Sequence, residues 1–217
     1  MQSFLTVLEN SWALLLRGLG LTVAISLASV LLGSVLGTLI GPVLTYGGRI
    51  ASFPFRVFVD IVRGTPVLVL ILASYYMPSA LGIGLGPIEA GILALSVFCA
   101  SHVGETLRGA LIAIPPNQRD AARSIGLTFP KMLAYVLLPQ ALPQIAPNFV
   151  NTAVEIVKAS SLLSAIGVGE LLLTTQEIVG RTFMTMEFYA LAGALYLAVN
   201  LTIGAGGWWV ERRFRTH

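Results

Sequence analysis

Long stretches without charged residues dominate the pattern of hydrophobic and polar positions along this chain. The four longest run from Gly18 to Gly48, Gly64 to Ile88, Met132 to Val154 and Phe188 to Val210. Each exceeds the ~20 residues that a helix needs to cross the hydrocarbon core of a membrane. A shorter stretch, Ala90 to Gly104, continues in a helical pattern until two prolines, Pro115 and Pro116, end it.

These stretches predict an all-α membrane protein with five transmembrane helices. Helices are expected because lipid cannot satisfy backbone hydrogen-bonding groups and because strand alternation is absent. We place the spans near residues 14–45, 56–78, 87–113, 132–155 and 187–210. The apolar run Ala159–Gly169 is too short to span, and it fits a re-entrant or interfacial segment that bends at Gly167 and Gly169. We expect one domain, residues 1–217, without a cleavable signal peptide.

Composition agrees with a membrane protein, and the basic residues predict its orientation. The chain is 56% hydrophobic and 11% charged, whereas a soluble domain carries ~25% charged residues. Ten of the 13 Lys and Arg residues fall on one side if five spans alternate across the membrane. Because cytoplasmic loops carry the excess of basic residues, we expect the N-terminus outside. The C-terminus and the segment 115–131 are then cytoplasmic.

The segment between the third and fourth predicted spans is charged and amphipathic. We predict a short helix near residues 116–126, capped by Pro115-Pro116-Asn117 and ended by Gly126. Its small apolar face comprises Ala121, Ala122, Ile125 and Leu127, and its polar face Arg119, Asp120 and Arg123. A small apolar face fits a groove on another protein. The alternative is a helix on the lipid surface, which is less favoured because large apolar side chains are few.

The same segment resembles the EAA loop of membrane subunits of binding-protein-dependent ABC importers. The family pattern is Glu-Ala-Ala, three residues, Gly, nine residues and Ile-x-Leu-Pro. Here it reads Asp120-Ala121-Ala122, Gly126 and Val136-Leu137-Leu138-Pro139, with every spacing kept. The resemblance implies a type I ABC importer permease fold, in which residues 116–126 form the coupling helix on the ATPase subunit. The implied coupling residues are Arg119, Asp120, Ala121, Ala122, Arg123 and Gly126.

Further motifs resemble the polar amino acid permeases of that class. Arg63-Gly64-Thr65-Pro66 matches their RGTP signature, and Leu138-Pro139-Gln140-Ala141 matches LPQA. The run 105–118 matches E-x-x-R-G followed by I-P-x-G-Q, with Asn117 in place of the usual Gly. The run 158–170 resembles K-D-T-S-L followed by I and E/D-L, with Ala159 in place of the usual Asp.

This resemblance implies a transport subunit of the bacterial inner membrane that is not itself an enzyme. A second permease subunit, identical or paralogous, would complete the pore. Two ABC ATPase subunits would bind ATP and Mg²⁺, and an extracytoplasmic solute-binding protein would deliver an amino acid. We expect no cofactor on this chain, which has no Gly-rich phosphate loop followed by Lys-Ser/Thr, and no nucleic-acid partner.

Six polar residues in or beside predicted spans are candidates for the substrate pathway. They are Arg63, Thr65, Asn151, Glu155, Lys158 and Ser161. Arg63 would hold a substrate carboxylate and Glu155 an ammonium or a basic side chain. The alternative is mutual neutralisation, with Glu155 paired to Lys158 and Arg63 to Asp60. A lipid-facing carboxylate costs ~2.5–3.5 kcal/mol, so Glu155 is expected to point into the protein.

Other features are better explained by packing. Gly33, Gly37 and Gly41 form a stripe that lets a second helix approach closely, which favours contact within the subunit over contact with another one. His102 lacks companions for a metal site and is expected to pack between helices. The lone Cys99 excludes a disulfide framework.

Two alternative functions remain open from the sequence. The same machinery would serve another amino acid-like solute, such as an opine or an organic sulfur compound. An ion-coupled secondary transporter is the alternative from another class, but it predicts inverted repeats and broken midplane helices, which we do not find.

Overall fold

The computed structural model describes residues 4–215, apart from the side chains of residues 210, 211 and 213–215. Every regular element in that range is helical, which confirms the predicted fold class. The α-helices are α1 (Phe4–Tyr46), α2 (Arg49–Gly64), α3 (Val67–Ala80), α4 (Pro87–Ala113), α5 (Pro116–Ser124), α6 (Phe129–Met132), α7 (Leu138–Ala159), α8 (Leu171–Thr182) and α9 (Thr185–Arg215). A π-helical turn, Leu133–Leu137, joins α6 to α7, and a 3₁₀ helix, Ser160–Ile166, follows α7.

Four helical segments in the described range are long and apolar enough to cross a membrane. They are Phe4–Tyr46, Pro87–Ala113, Phe129–Ile166 and Thr185–Trp209, and they contain or closely overlap the first, third, fourth and fifth predicted spans. Several extend beyond the predicted bounds, because polar residues at the ends of a span do not interrupt the helix.

The second predicted span, residues 56–78, is not one helix. Its two parts, α2 and α3, meet at an angle of 113°. Thr65 is extended, with φ −104° and ψ 133°, because it precedes Pro66, whose ring disfavours helical backbone in the preceding residue. The expected count of five spans holds when this bent pair counts as one.

Glycines allow α1 and α4 to pack at close range. A Cβ atom added to Gly33 would lie 2.3 Å from Cys99 Cβ, and one added to Gly37 would lie 2.7 Å from Val103 Cβ. One added to Gly41 would lie 2.9 Å from the Leu107 side chain. These distances are too short for any side chain, so the stripe packs within the subunit, as expected.

His102 also packs within the bundle. Its Nδ1 lies 3.0 Å from the carbonyl oxygen of Phe98. The centroids of the two rings are 4.2 Å apart. The expected packing role of this histidine is confirmed.

Two hydrophobic cores hold the ends of the bundle. The first joins the end of α4 to the start of α7 and includes Leu107, Leu111, Met132 and Leu137, with Ala122 of α5 packed among them. The second joins α8 to the N-terminal half of α1 and to α9 through Leu15, Leu171, Ile178 and Phe188. The helices α5 and α8 are therefore both fixed to the membrane helices, at different places in the bundle.

Candidate coupling helix and translocation face

The helix α5 begins and ends at the residues expected to cap it. Pro116 lies in its first turn, where a missing N–H is tolerated. Gly126 has φ +79°, a left-handed conformation that favours glycine. The N–H of Gly126 donates to the carbonyl of Arg123 at 2.9 Å, and that of Leu127 to the carbonyl of Ala122 at 3.1 Å. This is a Schellman motif, so the helix-ending role of Gly126 is confirmed.

The apolar residues of α5 are divided between two sides of the helix. Ala122 is only 3% exposed, because it lies in the core formed with α4 and α7. Leu127 packs against the same core. Ala121 and Ile125 are exposed, with Ile125 at 77%. The part of the expected docking face that is available to another protein is therefore Ala121 and Ile125.

Side-chain contacts tie α5 to three membrane helices. The Arg119 guanidinium lies over the Tyr46 ring at the end of α1, 5.7 Å from its centroid. The Tyr46 hydroxyl donates to the carbonyl of Leu111 in α4 at 3.4 Å. In α7, Gln140 Nε2 donates to Gln118 Oε1 at 3.4 Å. These contacts link α5 directly to α1 and α7, and through Tyr46 to α4. The roles of Tyr46 and Gln140 were missed from the sequence, since nothing in the local pattern links them to α5.

The outer side of α5 is charged. Asp120 and Arg123 are exposed, and neither forms an ion pair with another residue in the range 4–215. Both side chains are therefore free to contact another protein.

One face of α7 is polar along the whole helix. Asn151, Glu155 and Lys158 are exposed together on one face, as their spacing predicts. From the sequence we identified only these three, although amide side chains repeat at helical spacing before them. The polar stripe of α7, as we call this face, comprises Gln140, Gln144, Asn148, Asn151, Glu155 and Lys158. All six are exposed except Gln140, which is half-buried.

The polar stripe requires a polar environment. Glu155 does not point into its own subunit, contrary to expectation, and it forms no ion pair with Lys158 in the described structure. A charged side chain facing lipid at the centre of a helix costs ~2.5–3.5 kcal/mol. The stripe therefore faces water or another protein chain.

Arg63 and Thr65 lie at the break between α2 and α3. Thr65 Oγ1 donates to the carbonyl of Ile61 at 2.7 Å. The alternative ion pair between Arg63 and Asp60 is not formed in the described structure. Instead, Arg63 lies near enough to Glu105 of α4 to act on its carboxylate electrostatically.

The segment that follows α7 differs from the expected re-entrant one. Helical structure continues through Ile166, so most of the segment 159–169 extends the fourth span. Ser161 lies in this extension, where its Oγ donates to the carbonyl of Lys158 at 2.7 Å. The chain turns at Gly167, which has φ +81°, so the expected bend at this glycine is present.

A buried carboxylate connects α1, α8 and α9. Glu170 is 0% exposed and accepts hydrogen bonds from the N–H groups of Leu172 and Leu173, both at 2.9 Å. The hydroxyls of Thr22 and Tyr196 also donate to it. Burial raises the pKa of the Glu170 carboxyl, while the hydrogen bonds from Leu172 and Tyr196 act in the opposite direction. From the sequence Glu170 was noted only as part of a motif, because its partners are distant in the chain.

Comparison with known proteins identifies the family. Residues 29–216 match the model of the binding-protein-dependent transport system inner membrane component. The chain belongs to this family. As such, it is a multi-pass inner-membrane component of a transport system, as the motifs indicated.

Individual relatives and a solved structure agree with this family over nearly the full chain. The glutamine transport system permease protein GlnP of Escherichia coli (strain K12) is 31% identical over 204 residues, 93% of each chain. The arginine transport system permease protein ArtQ of Bacillus subtilis (strain 168) is 30% identical over 209 residues, 94% of this chain and 93% of the relative. The crystal structure of an amino acid ABC transporter with histidines superposes with a TM-score of 0.87 at 28% identity, covering 98% of this chain and 99% of that one. The type I ABC importer permease fold is confirmed.

Proposed function

We propose that this chain is the permease subunit of an ATP-driven importer for an amino acid, and that it forms the translocation pathway with a second permease subunit. The similar permeases whose names specify glutamine and arginine support the class of substrate. The observation that carries the proposal is the polar stripe of α7, which is exposed along a membrane-spanning helix.

Two polar stripes that face each other across a subunit interface would enclose a hydrated path. An amino acid carries a carboxylate and an ammonium, and charge-assisted hydrogen bonds are the strong contacts for both groups. Lys158 and Glu155 supply the opposite charges on neighbouring turns, and Asn151 supplies an amide. Arg63, Thr65 and Ser161 extend this pathway from the α2–α3 break and from the segment after α7.

The exposed side of α5 is the proposed contact with a cytoplasmic ABC ATPase. Ala121 and Ile125 would enter its groove, while Asp120 and Arg123 would form polar contacts at the edge. ATP and Mg²⁺ are bound by that partner. In this arrangement the C-terminus is cytoplasmic and the N-terminus is outside, where a solute-binding protein delivers the substrate.

Cysteine accessibility tests the proposed pathway. Cys99 is the only native cysteine and is 0% exposed, so new thiols can be labelled selectively. In the assembled complex, Asn148→Cys and Asn151→Cys should react with a membrane-impermeant maleimide, because their side chains meet water. The matched control is Leu197→Cys on α9, where the native side chain is 58% exposed and should face lipid.

Substrate should slow the labelling of Asn151→Cys, because the solute passes that position. Equal labelling of Leu197→Cys and the two stripe variants, or no labelling of the stripe, would contradict a hydrated path along α7.

A further inference from the structure

The helix α2 contacts α1 and α4 with one face and leaves two others exposed. The buried face carries Ser52, Val59 and Val62. The exposed apolar face carries Ile50, Phe53 and Ile61, which are 93%, 67% and 60% exposed. A third face carries Arg49, Arg56 and Arg63 at seven-residue spacing. A short helix with an apolar face beside a row of arginines is typical of one that lies in the membrane interface.

A polar cavity of about 230 Å³ lies beside the arginine face of α2. It is lined by Leu44, Arg56, Val59, Asp60, Glu105 and Arg108. Arg108 binds Glu105 through two hydrogen bonds, with Nη2 to Oε1 at 2.6 Å and Nε to Oε2 at 2.8 Å. Within residues 4–215 neither Arg56 nor Asp60 forms an ion pair. Among the described residues the cavity therefore presents one cation, Arg56, and one anion, Asp60, that form no ion pair, although Arg56 lies near enough to Glu105 to act on its carboxylate electrostatically.

The cavity lies near one end of the transmembrane helices. Arg108 is five residues from the end of α4 at Ala113, which corresponds to ~8 Å along a helix. Leu44 is two residues from the end of α1 at Tyr46. This is the end from which α5 continues, and from the ends of the two spans we infer that it lies at the level of lipid headgroups.

An apolar groove of about 360 Å³ lies between α1, α2 and α4, farther from the ends of α1 and α4 than the charged cavity. It is lined by Leu36, Ile40, Pro54, Phe55, Phe58, Val97 and Ala100. Ile40 and Leu36 precede Leu44 by about one and about two turns of α1, respectively. The helix α2 is thus flanked by a charged cavity at headgroup depth and an apolar groove at acyl-chain depth.

We propose that α2 binds an aminophospholipid. The lipid phosphate contacts Arg56, its primary ammonium contacts Asp60, and one of its acyl chains lies along the exposed apolar face of α2. The four charged residues that line the cavity sum to zero, which complements a zwitterionic headgroup. An anionic headgroup without an ammonium could place its phosphate on Arg56 but would leave Asp60 without a cation, because Glu105 is already bound by Arg108. A free amino acid carries the same two charges, but it has no acyl chain to cover the exposed side chains of Ile50 and Phe53.

Lipid retention in the assembled importer tests this site. The complex is reconstituted with equal parts of phosphatidylethanolamine and phosphatidylglycerol, released in mild detergent, and analysed by native mass spectrometry. Arg56→Gln should lower the retained phosphatidylethanolamine about fivefold, the effect of one arginine near a lipid surface. Asp60→Asn should shift the retained lipid towards phosphatidylglycerol, because the acceptor for the ammonium is lost. The control Arg181→Gln, on the exposed surface of α8, should change neither the amount of retained phosphatidylethanolamine nor the preference over phosphatidylglycerol.

Several results would overturn the proposal. These are unchanged phosphatidylethanolamine in an intact Arg56→Gln complex, phosphatidylglycerol as the main lipid of the unmodified protein, or displacement of the lipid by millimolar glutamine. Dissociation of the permease dimer in Arg56→Gln would assign the surface to the second subunit instead. If Arg56→Gln does not assemble, Arg56→Lys keeps the charge and should retain the lipid, and loss of lipid in that variant would also contradict the site. Transport itself is not the readout, so this test is independent of the proposed function.

Discussion

Two carboxylates show how the surroundings of a residue decide its role. Glu170 is buried and accepts hydrogen bonds from two backbone N–H groups and two hydroxyls, so its bonding capacity is used within the subunit. Glu155 is exposed and unpaired in the described structure, although it lies in a membrane-spanning helix. Glu170 is therefore a structural residue that fixes α8, whereas Glu155 is free to contact groups outside the subunit.

Removal of the Glu170 side chain should destabilise the subunit. Glu170→Ala deletes the N-cap of α8 and removes the hydrogen-bond acceptor of the half-buried Tyr196 hydroxyl, so we expect the free energy of unfolding to fall by about 2–4 kcal/mol. This loss of stability should appear as a lower melting temperature of the purified Glu170→Ala complex. Glu177→Ala, an exposed change on the same helix, should alter stability by less than ~0.5 kcal/mol. Similar melting temperatures for the two variants would refute this role of Glu170.

Neutralising Glu155 should impair transport without loss of assembly. Glu155→Gln keeps the shape and removes the charge, and a hydrogen bond to a charged group contributes ~1.5–3 kcal/mol. Uptake should therefore fall about tenfold or more, or the amino acid that stimulates ATP hydrolysis should change. Because Glu155 and Lys158 do not pair, the additional change Lys158→Met should not restore uptake. An intact Glu155→Gln complex with unaltered uptake and selectivity would exclude a substrate role.

At the scale of elements, the sequence predicted correctly those structural features that depend on a single helix. The cap at Gly126 and the helical spacing of Asn151, Glu155 and Lys158 are local, and the structure contains both. The angle between α2 and α3 was not predictable, because Pro66 marks a break without specifying 113°. The burial of Ala122 could not be predicted from the sequence either, since it depends on how α5 packs against α4 and α7.

Altering the end of α5 should uncouple transport from ATP hydrolysis. Gly126→Val places a β-branched residue at φ +79°, which disrupts the Schellman motif and displaces the exposed residues Ala121 and Ile125. We expect an inserted subunit whose complex hydrolyses ATP without uptake or releases the ATPase. Gly109→Ala is the matched control, because this helical glycine has no neighbour within 4 Å of an added Cβ. Normal uptake and normal stimulated hydrolysis in Gly126→Val would show that the end of α5 is not required.

At the scale of the whole molecule, the subunit lacks two things that its proposed function needs. Among the described residues 4–215, none forms a wall opposite the polar stripe of α7 or covers the outer side of α5. Both surfaces would gain contacts if a second permease subunit faced α7 across a hydrated path and an ATPase bound the outer side of α5. The contacts of α5 with Tyr46 and Gln140 would then transmit ATPase motion to the helices that line the pathway.

Uptake by purified components tests this account most directly. Proteoliposomes that contain the permease, its ATPase and its solute-binding protein should accumulate a labelled amino acid only when ATP is supplied on the side of α5. Vesicles with this chain alone should accumulate none under a proton or sodium gradient. Ion-driven accumulation by the single subunit, or ATP-independent accumulation by the full complex, would contradict the account.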